Sequence, residues 1–147
     1  MAASLIDGVM LAKRLNTRLK EKVAALAEAG IVPRLAVVLV GEHPPSQFYV
    51  RNKSRTGRSL GIDSVEHRLE FQASEIELLT LIESLNDDRS IDGILIQLPL
   101  PPHIDVTRVL KSIDPQKTLM VFIQSTLANG FLVPEVLFRA LQREPCS

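Results

Sequence analysis

The order of segments along this chain predicts an α/β fold, a three-layer domain with a mostly parallel sheet flanked by helices. Three observations carry that expectation. Residues 35–40 are an uninterrupted apolar run rich in valine, the pattern of a strand covered on both faces as in a parallel sheet. Ile94-Leu95-Ile96 is a second run of the same kind. Around them apolar residues recur at helical spacing, so strands alternate with helices, as parallel strands with crossover connections require.

Each element has its own signal. In residues 8–29, Val9, Leu15, Leu19, Val23 and Leu26 recur at helical spacing, with Asp7 placed to cap the start and Gly30 to end it. The first strand follows, then a loop over residues 41–45. Ser46 is expected to cap a helix reaching about residue 60, with Gly61 just past its end. Residues 64–70 alternate apolar and polar and read as a half-exposed strand. Residues 74–85 read as a helix, opened by the capping-box pair Ser74 and Glu77. The second buried strand spans residues 91–98 and ends at Pro99-Leu100-Pro101-Pro102, and residues 105–113 form a short helix. The chain has no internal repeat and no low-complexity linker.

Composition removes several function classes. A chain of 147 residues with 46% apolar content fits one ordinary domain with a real core. Lys plus Arg equals Asp plus Glu at 17 each, so charge gives no reason to expect nucleic acid or an anionic membrane as partner. The lone Cys146 builds neither a disulfide framework nor a zinc site, and a reducing compartment is expected. Asp7, Lys13 and Arg14 interrupt any run of signal-peptide length, and no stretch approaches the roughly 20 apolar residues of a membrane span. The expectation is a cytoplasmic protein. Its seven glycines are scattered, with no Gly-x-Gly-x-x-Gly and no P-loop, so no nucleotide-binding unit is legible. His-Glu-x-x-His and Gly-x-Ser-x-Gly are absent as well.

Candidate chemistry gathers at one edge of the expected sheet. Ligands of parallel sheets bind beyond the carboxyl ends of the strands. Two buried strands end at Gly41 and near Gln97, and parallel pairing puts both ends together. Tyr49 and Lys53 follow the first of them at i and i+4, on one helical face that leans back toward that edge. A lysine in a low-polarity cleft loses its charge readily and can move a proton, and a phenol offers a flat surface to an aromatic ligand. On spacing alone such a pair is most often a surface lysine beside a half-buried tyrosine. Gln97, at a strand end inside an apolar run, must satisfy its amide through backbone groups or through a ligand. His43 and His103 read as loop residues near the same edge and His67 as a solvated strand residue, without metal-ligand spacing. Arg51, Lys53, Arg55 and Arg58 read as a basic, solvated helix face rather than a phosphate site.

Two long motifs add a resemblance. Gly41-Glu42-His43-Pro44-Pro45-Ser46-Gln47-Phe48-Tyr49-Val50-Arg51-Asn52-Lys53 resembles a signature of the bifunctional methylenetetrahydrofolate dehydrogenase/methenyltetrahydrofolate cyclohydrolase family. Asp92-Gly93-Ile94-Leu95-Ile96-Gln97-Leu98-Pro99-Leu100-Pro101 resembles its second signature, followed by Ile113-Asp114-Pro115-Gln116-Lys117. The resemblance covers roughly residues 4–117. It implies an enzyme of one-carbon metabolism that oxidises 5,10-methylenetetrahydrofolate with NAD or NADP and hydrolyses the methenyl product to 10-formyltetrahydrofolate. It implies Lys53 as the catalytic lysine, Gln97 as the group that tunes it, and Tyr49 stacked on the aminobenzoyl ring. Members are usually homodimers, with an interface largely in a C-terminal Rossmann-type cofactor domain.

After Lys117 the sequence departs from the family. Where members continue D-V-D-G-F-H-P and then N-x-G, this chain has Thr118-Leu119-Met120-Val121-Phe122-Ile123-Gln124, with Met120 in the place of a pterin-binding aspartate. Residues 118–130, read as codons with one base restored after Lys117, permit D-V-D-G-F-H-P-V-N-V-G-K-R. Residues 1–117 are therefore expected to be the folate-binding catalytic domain, and residues 118–147 a divergent, out-of-frame tail. The Rossmann domain is expected to be missing, no cofactor is expected to bind, and activity is expected to be impaired. The alternatives are a non-catalytic folate-binding or interaction module, or a pseudogene product.

Overall fold

A computed structural model of the chain describes residues 8–42 and 44–118. In order these form α1 (Gly8–Glu28), β1 (Arg34–Val40), α2 (Pro44–Ser59), β2 (Asp63–Leu69), α3 (Glu75–Asp87), β3 (Gly93–Ile96) and α4 (Val106–Ser112). The expected three-layer α/β arrangement is present. The sheet order is β2-β1-β3 and both pairings are parallel. Arg34 pairs with Asp63 and Val40 with Leu69 across one side of β1; Leu35 pairs with Gly93 and Val38 with Ile96 across the other.

Alternation along β1 sorts its side chains onto two covered faces. Ala36, Val38 and Val40 join Ile94 and Ile96 beneath Leu78, Ile82 and Leu85 of α3 and Val109 of α4. Val37 and Leu39 join Leu95 beneath Val50 of α2. A third cluster, Val23, Leu26, Leu60 and Ile62, ties the last turns of α1 to the end of α2. β2 is only half-buried, as its alternating sequence implied.

Several boundaries differ from the sequence expectation, and α3 also runs on to Asp87 rather than residue 85. α2 begins at Pro44 rather than being capped by Ser46, which lies buried inside the helix. Proline suits a first helical turn, where no intrahelical N–H is needed and its fixed φ already fits. β3 is shorter than residues 91–98, because Pro99 has no N–H to extend the ladder past Gln97. β2 begins at Asp63, whose N–H donates to Pro33 O. Asp7, His43, Met120 and Cys146 lie outside the described residues.

Ser74 caps α3 as the sequence implied, and Asp105 caps α4. Ser74 Oγ accepts from Glu77 N at 3.1 Å, and Asp105 accepts from Thr107 N and Arg108 N at the start of α4. Both long helices end in the same glycine stop. Ile31 N donates to Leu26 O and Ile62 N to Gly57 O, with Gly30 and Gly61 at φ of 78° and 89°.

One anchor escaped the sequence reading. Lys117 is 1% exposed, and its Nζ donates to the carbonyls of Leu85, Asn86 and Asp88 at the end of α3. Just beyond it, Thr118 forms a parallel bridge with Ile94, on the edge of β3 away from β1.

Gly61→Ala tests the α1–α2 junction. A Cβ there would stand 2.9 Å from Val23 Cγ1 on a backbone that L residues rarely adopt. The expected cost is about 1–3 kcal/mol, read as a lower urea midpoint; an unchanged midpoint contradicts this account.

Candidate functional site

The two strand ends meet as parallel pairing requires. Gln97 donates its backbone N–H to Val38 O at 2.8 Å, so its side chain starts beside the end of β1. α2 then returns over the sheet with Ser46, Val50, Ser54 and Gly57 as its buried stripe. At about 100° per residue, Lys53 and Tyr49 flank that stripe on one side.

Lys53 uses this position. Its Nζ donates to Gln97 Oε1 at 3.3 Å, across 44 residues of sequence. The amide cannot present its other end, because Gln97 Nε2 donates to Leu98 O at 2.7 Å. A backbone carbonyl accepts only, so the side-chain oxygen is the end left for Lys53. Among the described residues no carboxylate pairs with Lys53. Burial therefore acts without compensation by a countercharge and lowers its pKa from the ordinary lysine value. Tyr49, one turn earlier, is 57% exposed, with Phe48 edge-on at 6.2 Å between ring centroids. A half-buried amine of reduced basicity, an oriented amide and an open aromatic ring thus share one edge.

The single basic helix face does not hold. Lys53 is two residues from both Arg51 and Arg55, which puts about 200° of helix between them. Arg58 belongs to the other flank and donates to Ser64 O of β2 at 3.3 Å, while Arg51 and Arg55 are exposed. His103 lies in the loop after β3, as expected, with Nε2 2.9 Å from Ala73 O and its ring edge-on to Phe71. A carbonyl partner makes that nitrogen the donor. His67 is half-buried on β2. Among the described residues no group of three His, Cys, Asp or Glu could hold a metal ion. No helix among them is long and apolar enough to cross a membrane.

The strand-to-helix turn after β1 lacks the features of a dinucleotide phosphate site. The one glycine with positive φ at a strand-to-helix turn is Gly41, at φ 81°. The helix after it opens with Pro44 and Pro45, which remove two N–H donors from the terminus that would face a phosphate. The Phe71 ring fills the space beside Gly41, 3.2 Å from where a Cβ would stand.

The hydrogen bond to Gln97 makes a specific electrostatic statement. An acceptor at Nζ favours the ammonium and so opposes the effect of burial. Lys53 is expected to titrate below the ordinary lysine value in side-chain NMR, and Gln97→Leu to move it lower still. An upward shift in that variant contradicts the assignment.

Comparison with known proteins identifies the family. The profile of the family described as tetrahydrofolate dehydrogenase/cyclohydrolase, catalytic domain, matches residues 6–119. The bifunctional protein FolD of Ligilactobacillus salivarius is 50% identical over 132 residues, covering 90% of this chain and 46% of that protein. The crystal structure of the bifunctional FolD methylenetetrahydrofolate dehydrogenase/cyclohydrolase from Campylobacter jejuni superposes with a TM-score of 0.78 at 43% identity, over 80% of this chain and 42% of that one. The Trypanosoma brucei enzyme, solved with NADP cofactor and an inhibitor, gives a TM-score of 0.75 at 34% identity, over 81% of this chain and 41% of that one. The chain spans about half the length of the curated relatives it matches. The profile covers residues 6–119 and the fold is shared with solved members, so the chain belongs to the tetrahydrofolate dehydrogenase/cyclohydrolase family, whose catalytic domain it carries.

Proposed function

We propose that this chain carries the folate-binding catalytic unit of a bifunctional 5,10-methylenetetrahydrofolate dehydrogenase/5,10-methenyltetrahydrofolate cyclohydrolase, with Lys53 and Gln97 catalytic and Tyr49 binding substrate. The observation that carries the reading is the Lys53–Gln97 hydrogen bond at the strand ends, one helical turn from the open Tyr49 ring. Tyr49 offers its face to the aminobenzoyl ring of the folate. Lys53, its basicity lowered by burial, takes a proton from the water that adds to the methenyl carbon and returns it to N5 as the carbon–N5 bond breaks, the adduct's hydroxyl proton leaving to solvent as the formyl carbonyl forms. Gln97 holds the lysine in position and moderates its charge. A cytoplasmic setting belongs to the same reading, as does the homodimer usual in the family.

NAD or NADP supplies the hydride acceptor for the oxidation in this family, and the Gly41 turn of this chain lacks a dinucleotide fingerprint. By this reading the 147-residue polypeptide alone does not oxidise methylenetetrahydrofolate. Such activity in the purified chain, measured as NAD(P)-dependent turnover, sinks that part of the proposal. Binding is tested by titrating a folate analogue into the wild type, Lys53→Ala and Tyr49→Ala. Losing a stacked ring or a charged contact is expected to weaken binding about tenfold or more in each variant, roughly 1.4 kcal/mol. Equal affinity for all three proteins removes the site.

The domain boundary is a proposal of the same kind: residues 1–117 as catalytic domain and 118–147 as an out-of-frame tail. The family match over residues 6–119 supports the catalytic-domain part of it, while some relatives align over 146 and 147 residues of the chain. Resequencing the codons for residues 116–120 and the downstream frame decides the matter. The proposal requires a cofactor domain readable in the shifted frame.

A further inference from the structure

Lys117 is among the largest fully buried side chains, yet its ammonium takes no part in the site at the strand ends. An ammonium has three N–H donors. Here all three find carbonyl oxygens, Leu85 O at 2.9 Å, Asn86 O at 2.6 Å and Asp88 O at 2.7 Å. These belong to the last turn and the C-cap of α3, where orphan carbonyls and the negative end of the helix dipole favour a cation. The same residue is tied through its backbone. Its N–H donates to Asp114 O at 2.8 Å, and its carbonyl accepts from Ile94 N at 2.7 Å. Asn86 completes the junction, donating to Ser112 O and accepting from Asp114 N.

We propose that Lys117 is a charge-dependent latch that joins the end of α3 to β3 and holds β3 on the side opposite β1. The ammonium fixes the residue against α3, and the residue's own carbonyl then meets the Ile94 N–H. The bridge between Ile94 and Thr118 is the first pairing the latch permits.

The competing expectation is definite. A buried charge costs desolvation, so replacing it by an apolar chain of similar length is often neutral or stabilising. Lys117→Met in the full chain separates the two. If Lys117 is a latch, the Ile94 amide exchanges with deuterium at least about tenfold faster, relative to the Gly41 amide on the β1–β2 side of the sheet. Unchanged exchange at Ile94, or equal acceleration at both amides, overturns the proposal. Should the variant fail to fold, the wild type decides. Three carbonyl partners slow proton exchange at Nζ, so a discrete Lys117 ammonium resonance is expected at neutral pH, where solvated lysines give none. Its absence overturns the proposal as well.

Discussion

The pairing of β1 with β3 is held by hydrogen bonds at both ends, and the geometry of the site depends on it. At the amino ends, Arg34 N donates to Asp92 Oδ2 at 2.8 Å and Asp92 N to Arg34 O at 2.9 Å. At the carboxyl ends, Gln97 N donates to Val38 O at 2.8 Å. Parallel strands without a hairpin between them have no local device to set their register. Here the buried Asp92 carboxylate sets it at one end and the exit of Gln97 reads it out at the other. A slip of one residue would turn the Gln97 side chain to the opposite face of the sheet, away from α2.

α2 converts that register into chemistry. Its buried stripe is narrow and built largely of small residues, Ser46, Ser54 and Gly57 around Val50, so the helix lies close on the sheet. Gly57 would place a Cβ only 3.0 Å from Ser64 Oγ of β2. Close approach brings the two flanks of the helix over different strands. Lys53 reaches Gln97 at the end of β3, and Arg58 reaches Ser64 of β2. Of four cations that look like one basic surface in the sequence, Lys53 thereby takes a chemical place and Arg58 a structural one, while Arg51 and Arg55 stay exposed.

Much of this was legible in the residues. The valine-rich run, the helical periodicities and the glycine stops report local physics, and local physics decided those elements. The strand-end logic brought Tyr49, Lys53 and Gln97 together because parallel topology leaves few other arrangements. What was not legible depended on long-range partners. Nothing local to Gln97 says that its amide oxygen will meet the ammonium of a residue 44 positions earlier. Nothing local to Lys117 says that its ammonium will meet the carbonyls of a helix some 30 residues away. A lysine at the end of an Ile-Asp-Pro-Gln stretch reads as solvated until α3 is placed beside it. The start of α2 was missed for a different reason. A proline pair reads as a loop, although a first helical turn accepts it equally well.

The bond from Gln97 Nε2 to Leu98 O has a consequence for which residues the position can hold. An isolated carboxamide is nearly symmetric in shape, and glutamate is its isostere. At this position the symmetry is broken, because one end must donate and the other must accept. A carboxylate would set an oxygen against the Leu98 carbonyl oxygen while gaining an ion pair with Lys53, so one substitution would strengthen one contact and oppose the other. A shorter amide such as asparagine would keep the polarity and lose the reach. The backbone carbonyl next door thus narrows the residues that satisfy both ends of the site, much as a keyed socket accepts a plug in one orientation only.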